Sequence, residues 1–145
     1  MKYIILILII LLSNGCYNNM SYKVTEVIDG DTIILATGEH IRLLGIDTPE
    51  KGECYYKEAK EFLSQLLTNK LIKLEKDKTN KDSYGRLLRY IYLDGTDINI
   101  LLVRQGYAEA FNKYISTTSK YYEIKQAERK AKKENLGRWN CTKDF

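Results

Sequence analysis

Histidine occurs once in the chain, at His40, so a metal centre of clustered imidazoles is excluded. A serine triad would have to use that one residue, and no nucleophile motif accompanies it. No Gly-rich phosphate loop is present, and "DGDT" at 29–32 lacks the later ligand positions of an EF-hand. There is no internal repeat and no low-complexity linker. Proline also occurs once, at Pro49. The one long apolar run, "YIILILIILL" at 3–12, is shorter than the ~20 residues that span a bilayer. With Lys2 before it and "SNGC" after it, the run reads as an export signal over residues 1–15. Cys16 after Gly15 resembles a bacterial lipobox, whose cysteine takes a lipid and becomes a membrane-anchored N-terminus. Plain secretion is the alternative. Residues 16–21 form a polar tether.

What is present describes one domain. The chain has 145 residues, 44% hydrophobic and 29% charged, with a formal net charge of +4. The charge is unevenly placed. Residues 113–145 hold nine Lys and Arg against four acids, residues 70–89 hold seven against three, and the rest is acidic on balance. Such clusters suit a polyanion, because each contact releases condensed counterions. A solvated helix face is the plainer account of the same charges. Cys54 and Cys141 remain if Cys16 is lipidated. In an exported protein they form a disulfide candidate, with two free thiols as the alternative.

The pattern predicts three strands, a helix, two strands and two helices. "SYKVTEVI" alternates, with Val24 and Val27 or Ile28 inward. Asp29-Gly30 is a hairpin signal, "DTIILA" the return strand, "TGE" a second turn and "HIRLLGI" a third strand. Ala59, Phe62, Leu63, Leu66 and Leu67 make a helical stripe. "KLIKLEKD" and "RLLRYIYL" read as strands four and five. "DINILLVRQG" reads as a helix with Asp97 as N-cap and Gly106 as C-cap. Tyr121, Ile124, Ala127 and Ala131 mark a last helix, ended by Gly137. The fold class is α+β: a five-stranded OB-fold barrel with three α-helices over residues 22–141, followed by a short tail at 142–145.

In "LLGIDTPEKGE", 43–53, an apolar strand stops at an acid, a hydroxyl, a proline and another acid. A turn needs one such residue. Asp31 lies beyond the first hairpin turn, Arg42 stands in an apolar strand, and Arg86 follows "DSYG". Taken singly, each has a plain structural account. Together they fit phosphodiester cleavage. Asp31, Asp47 and the Thr48 carbonyl are hard oxygen ligands for Ca²⁺ or Mg²⁺. Arg42 and Arg86 can clamp a phosphate bidentately, as lysine cannot. Glu50 can orient or deprotonate water. Pro49 restricts the backbone of Thr48. Arg42 and Asp47 are five apart and face opposite sides of a regular strand. Their convergence requires a bend, for which Gly45 is the candidate.

"VIDGDTIIL", "IRLLGIDTPE", "KEAKEFL", "DSYGRLLRYIYLDG", "LLVRQGYA" and "AERKAKKENLGRW" resemble, in order, the staphylococcal nuclease (thermonuclease) family over residues 22–140. The resemblance implies a Ca²⁺-dependent, sugar-nonspecific endonuclease of DNA and RNA that leaves 3′-phosphate and 5′-hydroxyl ends. It implies Ca²⁺ on Asp31, Asp47 and Thr48, catalysis by Arg42, Glu50 and Arg86, and a nucleotide pocket lined by Tyr84. A monomer is the expected state. A non-catalytic nucleic-acid-binding barrel is the competing reading, and the retained arginines and glutamate weigh against it. The segment "AFNKYISTTSK", 110–120, departs from the family pattern, so no role is carried to Phe111, Asn112 or Tyr114.

Overall fold

The computed structural model describes residues 20–113 and 118–141. The export signal, the lipobox and the C-terminal tail lie outside the described residues. Eight strands and three α-helices follow in the order β1 (Tyr22–Val27), β2 (Thr32–Leu35), β3 (His40–Leu43), β4 (Ile46–Asp47), α1 (Tyr56–Leu67), β5 (Leu71–Lys81), β6 (Leu87–Leu93), β7 (Thr96–Asp97), α2 (Ile98–Arg104), β8 (Glu109–Ala110) and α3 (Tyr121–Lys133). A 3₁₀ turn at Gly137–Asn140 closes the described chain. Among the described residues no helix is long and apolar enough to cross a membrane.

β1, β2, β3, β5 and β6 close into a barrel. β1 pairs antiparallel with β2 and β5, β2 with β3, and β5 with β6. The parallel pairing of β3 with β6, Ile41 opposite Leu87, completes the ring. Closure leaves no open edge among these five strands. The chain is therefore a five-strand barrel with three helices, an α+β domain of the OB type. The remaining strands are two-residue pairs, β7 on β6 and β4 on β8.

Alternation fills the barrel. Val24, Ile33, Ile41, Leu43, Ile72 and Ile91 are all 1% exposed or less. Each such side chain contributes about 1.5–3 kcal/mol by leaving water. Val27, not Ile28, is the second inward residue of β1, where a register irregularity follows Val24. α1 caps the barrel with Ala59, Leu63 and Leu67 fully buried and Phe62 and Leu66 packed beside them. Asp97 caps α2, its carboxylate accepting from Ile100 N at 3.1 Å. Gly106 follows the end of α2 at φ +79°, with its N–H returned to Val103 O at 3.0 Å.

Two boundaries differ from the sequence pattern. The third strand ends at Leu43, because the chain turns at Leu44-Gly45 and resumes as β4. The last helix ends at Lys133 rather than at Gly137, because Asn135 takes the left-handed conformation at φ 53°. Its buried stripe also carries a charge, Glu128, between Ala127 and Ala131.

Candidate active site

The site lies where β2, β3 and β4 meet the loop between β5 and β6. Thr32 and Arg42 are partners across β2 and β3, and Leu43 N donates to Asp31 O at 2.9 Å. The end of β3 is thereby fixed beside the start of β2. The chain then turns. Gly45 has φ +79°, and a Cβ there would lie 2.7 Å from Ile124 Cδ1 and 2.9 Å from Thr118 Cγ2. Its carbonyl accepts from Phe111 N at 2.9 Å. The adjacent Leu44 carbonyl accepts from Asn99 Nδ2 at 2.9 Å. The same fully buried amide takes Ile91 N at 3.0 Å, stitching α2, β6 and this turn together.

The turn folds the strand back around its own arginine. Arg42 Nη1 donates to Leu43 O at 2.6 Å and Ile46 O at 2.8 Å. Nη2 donates to Asp47 Oδ1 at 2.9 Å, and Nε pairs with Asp31 Oδ1 at 3.0 Å. Both carboxylates therefore share the Nε/Nη2 edge of one guanidinium. Gly45 supplies the bend that five-residue spacing demanded.

Asp31 is 6% exposed and takes four donors. Arg42 Nε and Thr32 Oγ1, the latter at 3.1 Å, meet Oδ1. Thr48 N at 3.1 Å and Thr48 Oγ1 at 2.9 Å meet Oδ2. Thr48 comes this close because residue 30 has no side chain: a Cβ at Gly30 would lie 2.8 Å from Thr48 Oγ1. Burial raises the Asp31 carboxyl to about 6, with Arg42 opposing and Asp29 adding to the rise. Burial raises Asp47 as well, against Arg42 and Arg138.

Arg86 is set by Asp82. Asp82 Oδ1 accepts from Tyr84 N at 2.9 Å and Arg86 N at 3.0 Å, and Oδ2 accepts from Arg86 Nε at 2.7 Å. Burial works to raise the Asp82 carboxyl, and these bonds outweigh it, leaving the group below its ordinary value. Arg86 Nη1 donates to Thr32 Oγ1 at 3.3 Å. One connected path thus runs Arg86–Thr32–Asp31–Arg42–Asp47. Arg86 Nη2 makes no hydrogen bond to the described residues. The guanidinium carbon lies 5.4 Å from the ring centre of Tyr84, which is 84% exposed.

Thr48 and Pro49 are buried and Glu50 is exposed. Its N–H donates to Glu53 Oε2 at 2.7 Å, and its carboxylate meets solvent. A cavity of about 190 Å³ runs between Arg42 and Arg86, past Gly45 and Tyr84, to Phe111 and Lys113. Cys54 and Cys141 are joined in a disulfide with Cα atoms 6.3 Å apart, linking the segment after the acidic turn to the C-terminal end.

Sequence reasoning passed over Thr32, Asp82, Asn99 and Lys113, and considered Phe111 without giving it a role. Asp82 had a signal, four residues before Arg86 in the same polar turn. Thr32 sat inside "DGDT". Asn99 had none, being one amide in an apolar helix. Among the described residues no group of three His, Cys, Asp or Glu is arranged to hold a metal ion. The donor set at Asp31, Asp47 and Thr48 is two carboxylates and a main-chain carbonyl.

The barrel carries this acid–arginine cluster on an OB-type domain. Residues 40–141 match the family described as staphylococcal nuclease homologue, and the chain belongs to it. It is 40% identical over 139 residues to the thermonuclease of Staphylococcus hyicus, covering 89% of this chain and 80% of that protein. It is 40% identical over 129 residues to the thermonuclease of Staphylococcus intermedius, covering 82% and 76%. The SPbeta prophage-derived endonuclease of Bacillus subtilis is 34% identical over 125 residues, which are 79% of this chain and 42% of that protein. The chain is a nuclease of this family, a phosphodiester hydrolase acting on nucleic acid.

Proposed function

We propose that the chain is an exported, Ca²⁺-dependent endonuclease that hydrolyses DNA and RNA to 3′-phosphate and 5′-hydroxyl ends. The observation that carries the reading is the convergence of Asp31 and Asp47 on Arg42, with Thr48 bonded to Asp31 and Thr32 joining Asp31 to Arg86.

The residues fit the ion. Asp31, Asp47 and the Thr48 carbonyl offer only hard oxygens, as Ca²⁺ prefers. Asp31 is a buried carboxylate whose charge burial disfavours, so a cation at that point relieves a real cost. When bound, Ca²⁺ supplies positive charge beside the phosphoryl oxygens.

The other side chains divide the work. Arg86 presents its Nη2 fork to a phosphate, with Asp82 holding the rest of the guanidinium still. Arg42 aligns the two carboxylates and has one Nη2 hydrogen left for a phosphate oxygen. Glu50 accepts the proton of the attacking water, whose oxygen joins phosphorus as the P–O5′ bond breaks, and the leaving 5′ oxygen takes a proton from solvent. Tyr84 borders the cavity in which a base lies. Phosphate-binding and stacking groups bear on backbone and base face rather than on the 2′ position, which accounts for action on both DNA and RNA.

Export rests on the apolar run at 3–12 and is supported by the Cys54–Cys141 disulfide, since oxidising compartments preserve such bonds. Residues 1–15 are the signal, and Cys16 is the lipid-bearing residue that anchors a monomer to the membrane through the 16–21 tether. Labelling with a fatty acid should mark the wild type and not a Cys16→Ser variant.

The deciding experiment is digestion of single-stranded DNA and of RNA by residues 17–145, with Ca²⁺ and with a chelator. Cleavage only with Ca²⁺, leaving 3′-phosphates, supports the reading. A folded protein that binds nucleic acid in a salt-sensitive way and cleaves neither is the non-catalytic barrel.

A further inference from the structure

A second cleft, of about 480 Å³, adjoins the Phe111 cavity. Tyr84 and Arg86 border both. The barrel's closure builds it. Leu87, the first residue of β6, faces Lys81 of β5 on one side and Ile41 of β3 on the other. Lys81 and His40, the neighbour of Ile41, are therefore brought to the two flanks of one strand end. The two are 41 positions apart in the chain.

Both are exposed and both line the cleft. Neither side chain makes a hydrogen bond or an ion pair with the described residues. The acid on the rim, Glu39, is engaged by Thr37 Oγ1. The cleft thus offers a free ammonium, an imidazole with a ring face and an N–H, and the exposed ring of Tyr84. A volume near 500 Å³ is within the ~300–1,000 Å³ of small-ligand sites.

We propose that this cleft is a nucleotide subsite for the polynucleotide chain. It takes the nucleotide that adjoins, across the phosphate held by Arg86, the one in the Phe111 cavity. Lys81 meets the next phosphate along, and His40 lies against the base and donates to it. The proposal rests on the nuclease reading above and adds the path of the strand. Stacking of a base on an aromatic face is indifferent to sequence, which suits a nonspecific enzyme.

The test compares wild type with Lys81→Gln, His40→Gln and the double variant on a single-stranded octanucleotide, across a series of salt concentrations. The double variant should raise KM about tenfold and leave kcat and the thermal midpoint unchanged. Loss of one phosphate contact should make the salt dependence of log KM shallower by about 0.7. Lys81→Arg alone should keep the wild-type KM and salt slope. Unchanged KM and salt slope in a wild-type enzyme that cleaves would overturn the subsite and leave the nuclease standing. Should the wild type fail to cleave, the nuclease reading falls. Anisotropy with a labelled octanucleotide then decides the cleft, and equal affinity of wild type and double variant overturns it.

Discussion

Asp31 keeps a carboxyl near 6 although four donors reach its two oxygens, because burial outweighs them. An acid whose folded pKa lies above its ordinary 3.8 binds more protons folded than unfolded. Stability then falls as pH rises through the window from about 4 to 6, and the cost stands in full at neutral pH. Asp31→Asn removes that cost. In chelator at pH 8 it should be more stable than wild type by about 2 kcal/mol, after allowing for one lost accepting oxygen. The gap should close by about pH 4, and thermal melts at the two pH values read it. The same variant should weaken Ca²⁺ binding in calorimetry. Glu50 is the opposite case, an exposed residue whose carboxylate has no partner among the described residues. Glu50→Gln should cut kcat by about 10²–10⁴-fold with an unchanged melt. Near-normal turnover would remove Glu50 from the chemistry.

α3 and the paired strands β4 and β8 show how an element far in sequence holds the turn that carries Asp47. Asp47 lies on β4, which pairs with β8, Ile46 opposite Ala110. Ala110 N donates to Glu128 Oε1 at 3.2 Å, so α3 anchors β8 and thereby β4. Glu128 is 3% exposed and is met by Lys125 and Lys132 on the same helix. Burial works against its charge, but these bonds prevail and hold it below the ordinary 4.5. An acid with a depressed folded pKa stabilises above its unfolded pKa, and that stability is lost as pH falls through the folded value. Glu128→Gln keeps an acceptor for Ala110 and loses the charge. It should destabilise by about 1–2 kcal/mol at pH 7, with the difference shrinking as pH falls below the ordinary 4.5 toward about pH 3. Denaturant titrations at both pH values check this, and a constant difference would reject the charge as the cause.

The whole molecule is a closed barrel with its C-terminal end bonded back to the loop after Glu50. The Cys54–Cys141 link closes a separation of 87 residues. Chain entropy assigns such a loop about 4–5 kcal/mol. The Cys54→Ser, Cys141→Ser double variant should lose that amount in guanidinium denaturation while the folded fraction still cleaves. Equal midpoints for the oxidised wild type and the variant would show that the bond does not restrain the unfolded chain. Charge acts at this level too. The basic residues of β5, β6 and α3 spread a field wider than the site, which suits a long polyanion.

Local order was largely legible. Alternation in 21–46 and 70–93 marked the barrel strands, and the stripes of α1 and α3 marked their buried faces. The acids and arginines stood out because their types suit one chemistry, and their order matched a known family pattern. Convergence was legible only in part, as a bend for which Gly45 was the candidate. Whether Arg42 and Asp47 share a side depended on one left-handed glycine, which strand periodicity does not encode. The grip of Asp82 on Arg86 depended on a turn, and the Arg86–Thr32 contact joins residues 54 apart. Asn99 and Glu128 break their apolar stripes because unpaired main-chain groups on other elements need them, and those groups face the helices only after folding. Periodicity records what a residue's near neighbours require. The site, the second cleft and the anchoring of β4 come from distances between segments, which only barrel closure brings down to contact.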